Sequence, residues 1–307
     1  MKKIINILVL VLWLMTGLQA NDTEYASGYA GAFLRMGLGA ENMALGNAGV
    51  ALTGSSSGAY YNPALIAYNE KISVATGYAF MSLDRKFNYL GINYHLPPTA
   101  SVSLQWIHAG VDDIQGRTFS GIPDETYSTG EDALMLTFGN RMGENFAFGF
   151  TLKTLRHSLL DISGTGVGFD GGIYWSPLKN LAFGAQIKDV TASYTWKTTS
   201  IFEEEGSNYI EKFPMVYRTG FMYQYKSFLL VSDMEIIEDN TYFHGGLAYN
   251  YKQLGALRIG YDRNSLTFGC GLKYDFLWNT KTELDYAFVQ QKYGEGHNHM
   301  FTWNFQL

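Results

Sequence analysis

The sequence predicts an all-β fold: a transmembrane barrel of about fourteen antiparallel strands around a small helical plug near its amino terminus. Three observations lead there. Residues 71–307 alternate apolar and polar side chains with the period of a strand. Aromatic residues make up 16% of the chain and charged residues only 16%, fewer charges than the roughly 25% of an ordinary soluble domain. The connections between the alternating segments are short at one end and long at the other, the habit of barrels that cross a membrane.

Residues 1–20 have the build of a secretory leader: Lys2 and Lys3, then the apolar run IINILVLVLWLM, then Gly17 and the small residue Ala20. Cleavage after Ala20 would leave Asn21 as the mature start, and no cysteine follows to carry a lipid anchor. The apolar run is too short for a spanning helix, which needs ~18–20 residues. Export is therefore expected. Cys270 is the sole cysteine, so no intramolecular disulfide can form, and its place inside LTFGCGLKY marks it as a small lipid-facing residue.

Residues 21–70 differ from everything after them. Ala40, Ala44, Ala48 and Ala51 recur at helical spacing, interleaved with Gly37, Gly39, Gly46 and Gly49. Glycine costs an isolated helix about 1 kcal/mol per residue relative to alanine, so such a helix needs a container in which backbones approach closely. After a Gly/Ser loop at 54–58, Asn62-Pro63-Ala64 reads as a helix start: asparagine caps well, and proline suits the first helical position. The segment is expected to be a plug held inside the barrel, with Ala44, Gly46, Ala48, Gly49, Asn62, Pro63 and Ala64 as its motif.

The stretches FLRMGLGAENMALGNAGVA and AYYNPALIAY resemble the amino-terminal signature of PorV/PorQ family outer-membrane proteins, within the wider group of FadL-like barrels. Asn62, Pro63 and Ala64 match the family's Asn-Pro-Ala, and Ala44-Leu45-Gly46 its Met-Gly-Gly-like turn, with Leu45 where a smaller residue is commoner. The resemblance is tight over the plug and extends over the rest of the chain only in architecture and length. It implies outer-membrane localisation and two functions. The closer match implies a non-enzymatic component of type IX protein secretion, which binds exported proteins or partner subunits. The wider group implies a transporter of long-chain fatty acids or other hydrophobic molecules.

From 71 onward the apolar face runs through Ile72, Val74 and Tyr78, then Leu90, Ile92 and Tyr94, and ends with Phe301, Trp303, Phe305 and Leu307. About fourteen such segments occur, an even number as single-chain barrels require. Alternation alone does not separate a barrel from a soluble sandwich. The quantity of Tyr, Trp and Phe near strand ends does, since membrane interfaces favour them. The opposite face is small and polar, and Asp170, Lys188, Arg218, Asp233, Glu235, Arg258 and Lys273 face inward; pairing with one another or with the plug is one role open to them, and lining a wet lumen is the expected one.

The connections expected to be tight include Pro97-Pro98 and Tyr225-Lys226; those expected to be long are 110–130, 159–164, 190–213 and 292–299. Short turns face the periplasm and long loops the exterior. Long external loops without a greasy segment favour the secretion-partner function over transport.

No catalytic constellation emerges. The six histidines are scattered apart from His297 and His299, no Gly-x-Ser-x-Gly elbow occurs, and Gly164-x-Gly166-x-Gly168 leads into a strand rather than a nucleotide-binding helix. The acidic runs Asp112-Asp113 and 203–205 read as solvated loops. With a net charge of −6 and no basic aromatic patch, nucleic acid is not an expected partner. Neither a metal nor a cofactor is expected; the expected partners are membrane lipid, exported proteins or secretion subunits, and a hydrophobic ligand in the lumen.

Overall fold

The computed structural model describes residues 28–197, 207–252, 254–275, 280–290 and 296–307; the leader and the acidic run at 203–205 lie outside them. Sixteen strands form one antiparallel sheet: β1 Ser73–Phe80, β2 Arg85–Leu96, β3 Ala100–Arg117, β4 Pro123–Met142, β5 Phe146–Leu159, β6 Ile162–Leu178, β7 Leu181–Val190, β8 Ser193–Lys197, β9 Asn208–Lys212, β10 Val216–Tyr225, β11 Phe228–Ile237, β12 Asn240–Tyr251, β13 Gly255–Asp262, β14 Ser265–Asp275, β15 Lys281–Gln290 and β16 His297–Gln306. Fourteen of them make the wall, each paired with its sequence neighbours. The wall skips β8 and β9, pairing β7 directly with β10, and closes where β1 meets β16 in the register Ser73↔Gln306 and Tyr78↔Phe301. Closure leaves the wall no free edge.

Each wall strand alternates buried and exposed residues, as in β1 and β16. The exposed row is apolar and aromatic: Phe80 is 57% exposed, Trp175 52% and Trp303 48%. Cys270 follows this outward row between Phe268 and Leu272. None of the described helices is long and apolar enough to cross a membrane.

Two sequence expectations about connections are corrected, and the third, the long connection 190–213, holds but carries strands of its own. The segment 110–130 is not a long loop: β3 and β4 continue as a two-stranded ribbon paired out to Arg117↔Pro123, with irregularities after Val111 and Gln115. Its side chains are exposed or half-buried on both faces, which is why apolar alternation stops there although pairing does not. Between β5 and β6 only Leu160 and Asp161 turn the chain, Leu160 with φ 52°. The connection 190–213 folds back as the β8–β9 hairpin, with Ser193↔Lys212 and Lys197↔Asn208; β8 also pairs with β6 at Gly164↔Trp196.

Among the described residues ahead of the wall are four short helical turns: α1 Ala32–Arg35, α2 Ala40–Ala44, α3 Gly58–Tyr61 and α4 Pro63–Tyr68. The continuous small-residue helix expected through Ala51 is not formed. The chain leaves α2 through Gly46 (φ 68°) and Asn47 (φ 65°), left-handed conformations that end a helix. Most residues of 30–67 are buried, and the segment lies inside the barrel.

Candidate functional site

Sequence makes the plug thin, and the wall is carved to receive it. Gly139, Gly149 and Gly172 lie directly opposite one another across β4, β5 and β6. A Cβ at any of the three would run into Pro63, with Ile66 also struck from Gly139 and Asn62 from Gly172. Gly184 on β7 faces the Val50 carbonyl, Gly246 and the paired Gly260 on β12 and β13 face Leu45 and Gly46, and Gly269 on β14 faces the Ala44 methyl. These wall glycines are spent on close approach of backbone to backbone, the use to which glycine is suited. Gly46 and Ala44 are small for the complementary reason, whereas a Cβ at Gly49 would strike Asn42 and Tyr61 within the plug itself. Ala48, fully buried, packs with Leu45, Leu229 and Val231.

Polar side chains of the wall then satisfy the plug's backbone. Asp233 Oδ2 accepts the Gly49 and Val50 amides at 2.8 and 3.0 Å. Arg218 Nη1 donates to the Asn47 carbonyl at 3.1 Å, while its Nη2 reaches Glu235 at 2.5 Å. Nδ1 of His244 lies 3.2 Å from the Gly46 carbonyl and 2.9 Å from Asp262, and its Nε2 lies 3.2 Å from Arg218 and 3.7 Å from Glu235. Thr267 Oγ1 accepts the Gly46 amide and donates to the Ala44 carbonyl, both at 3.1 Å. Arg258 joins Glu41 of α2 at 3.1 Å to Asp285 at 2.5 Å.

Asn62 caps α4 by accepting the Ala64 amide at 3.0 Å, and its Nδ2 donates to the Val50 and Ile173 carbonyls at 2.8 Å each. One side chain thereby joins two plug turns to strand β6. Pro63 follows at the first helical position. Tyr61 accepts the Leu38 amide at 3.0 Å and donates to Asn47 Oδ1 at 2.5 Å; Tyr60 donates to the Leu34 carbonyl at 2.6 Å. Burial raises both phenols above the ordinary tyrosine value, so they serve as neutral donors.

The charged residues that the sequence assigned to a wet lumen are buried instead. Asp170, Lys188, Arg218, Asp233, Glu235 and Arg258 are each less than 7% exposed. Lys188 Nζ donates to the Leu34 carbonyl at 3.2 Å and sits 3.8 Å from the Tyr60 ring centre. Asp170 holds Lys153 at 2.7 Å, and Lys153 also pairs with Asp189, an ion cluster that sequence reading missed because its members lie on three strands. Lys273 alone is exposed at a strand end, 3.6 Å from Glu283. Among the described residues no three His, Cys, Asp or Glu side chains gather as a metal site.

Between α1 and the ends of β2–β5 the plug does not fill the barrel. An open pocket of about 260 Å³ remains there, with Ala32, Phe33, Met36, Met81, Ala109 and Val111 as its apolar walls and Arg85, Lys86, Thr129, Glu131 and His157 as its polar and charged ones. A closed barrel of fourteen strands, plugged from its amino-terminal side, is similar to three solved channels. The toluene transporter TodX of Pseudomonas putida is 13% identical, with 88% of this chain and 96% of that chain covered and a TM-score of 0.60. The CymD monoaromatic hydrocarbon channel is 11% identical over 88% and 96%, TM-score 0.58. A Pseudomonas aeruginosa FadL homologue is 11% identical over 87% and 97%, TM-score 0.57. The fold is that of FadL-like outer-membrane barrels. No protein-family model and no curated protein matches the sequence.

Proposed function

We propose that this chain is an outer-membrane barrel that admits small hydrophobic molecules to a lumen closed by its own amino-terminal segment. The open, largely apolar pocket between α1 and the strand ends carries the reading, because it places unfilled space between plug and wall. The likeness to hydrocarbon channels in fold supports it, as does the exposed aromatic row, which suits a lipid environment. The leader expected at 1–20 would deliver it to that membrane. The test is uptake: cells that express the barrel should accumulate a hydrophobic tracer faster than cells without it, and equal rates would overturn the reading.

A secretion-partner role of the PorV/PorQ kind is the second reading. The plug motif supports it, together with the β3–β4 ribbon, whose tip presents Phe119 bare to its surroundings and Ile122 at 62% exposure. A crosslinker placed on that tip should then capture an exported protein or a secretion subunit from intact cells. Capture of neither would remove this reading.

A further inference from the structure

We infer that the outer face of β2–β6, at the ribbon end of the wall, docks one lipid A-type molecule, a phosphorylated sugar that carries acyl chains. The site lies on the lipid-facing surface and is independent of any traffic through the lumen.

A polar row interrupts the outward face there. Asn88, His108, Asp132, Arg156 and Thr165 lie side by side on β2 to β6, each the register partner of the next. Two residues along each strand, away from the ribbon, the same face carries Leu90, Trp106, Leu134 and Val167, all exposed. The row therefore stands where the apolar band ends. A charge on the lipid face of a barrel costs most at the bilayer centre and little near its surface, and tryptophan favours that same interface. The ribbon end is the one expected outside, so the leaflet it meets is the outer one.

Arg156 carries the argument. It continues the outward row of β5 beyond Phe150 and Leu152 and is exposed. Asp132 lies opposite it in register, yet no ion pair or hydrogen bond joins Arg156 to Asp132 or to any other described residue. Asp132 is held from the other side: its Oδ1 accepts Trp106 Nε1 at 3.0 Å and lies 2.9 Å from His108 Nδ1. The His108 ring stacks beside Trp106, 5.8 Å between centres, and lies over Gly110 and Gly130, where a Cβ would come within 3.3 and 3.2 Å of it. The row thus presents an uncommitted guanidinium next to a carboxylate with one oxygen to spare.

Charge complementarity selects the occupant. The guanidinium fork matches a phosphate with two parallel hydrogen bonds. Sugar hydroxyls can donate to the second Asp132 oxygen, while acyl chains lie along Leu90, Leu134 and Val167. A lipid with a phosphate alone would satisfy Arg156 and bring Asp132 no donor.

Native mass spectrometry of the full-length barrel, released from detergent, tests the site with three probes: lipid A, lipid A stripped of its phosphates, and phosphatidic acid. Lipid A should bind one per barrel, about tenfold or more tighter than either of the others. Arg156→Ala should weaken lipid A binding about tenfold, and Arg156→Lys should lose part of it, since lysine keeps the charge without the fork. Lys273→Ala removes an exposed cation from the other end of the wall and should leave the affinity unchanged. The heat-dependent gel shift of a closed barrel shows that each variant is folded. Absence of a lipid A adduct, equal binding of phosphatidic acid or of the stripped lipid, unchanged affinity in folded Arg156→Ala, or an equal loss in Lys273→Ala would each overturn the inference.

Discussion

The carboxylate of Asp233, on wall strand β11, accepts the backbone amide of Gly49 at 2.8 Å, and the same oxygen takes the next amide, that of Val50. The plug cannot leave the wall at this point without exposing two buried donors and disturbing Arg218, which is 3.9 Å from the same oxygen.

Asp233→Ala should therefore lower stability by about 3 kcal/mol, since buried donors without partners cost about 1–3 kcal/mol. Asp233→Asn keeps an acceptor and should lose less. Thermal unfolding followed by circular dichroism in detergent measures both, and trypsin cleavage at Arg35 reports whether the plug has loosened. Identical melting of Asp233→Ala and the unaltered barrel would show that the latch holds nothing.

Gly149→Ala should cost about 1–3 kcal/mol, the scale of overpacking, because its new methyl would overlap the Pro63 carbonyl. Gly171→Ala is the matched control: its nearest neighbour would be Ile187 at an ordinary 3.5 Å. Equal melting temperatures for the two variants would contradict a wall carved to seat the plug.

Asn62→Ala should cost more than the ~1 kcal/mol of a lost helix cap. It also strips the Val50 and Ile173 carbonyls of their donor, and each buried acceptor left bare adds up to about 1–3 kcal/mol. Ala48→Phe, buried against Leu45 and Leu229, should cost about 1–3 kcal/mol by overpacking. Chemical unfolding of the two variants beside the unaltered protein measures these losses, and a loss below 1 kcal/mol for Asn62→Ala would mean the side chain acts only as a cap.

The orientation of the barrel follows from its ribbon. A cysteine at Phe119, in a Cys270→Ser background, should react with a membrane-impermeant maleimide on intact cells, while one at Glu144 in the β4–β5 turn should not. Labelling of the second alone would invert the topology.

Local patterning together with the quantity of aromatic residues determines the architecture of this chain. Side chains along a strand alternate between lipid and lumen, so each strand declares itself within ten residues; the barrel and its strand number follow by addition. The plug is legible for a similar reason, since Gly46, Ala48 and Asn62-Pro63 carry their backbone preferences with them. Where strands stop is less legible: the ribbon of β3 and β4 has no buried face and so no period to read. What only tertiary structure decides is which wall residue meets which plug residue. Gly46 and Thr267, 221 residues apart, are joined by one hydrogen bond, and Arg258 reaches Glu41 from 217 residues away. Such contacts depend on barrel register, and a one-residue slip would turn Asp233 and Arg218 from the plug to the lipid. The open pocket under α1 belongs to that second class, because it is the space left between a helical turn and four strand ends that no window of sequence contains.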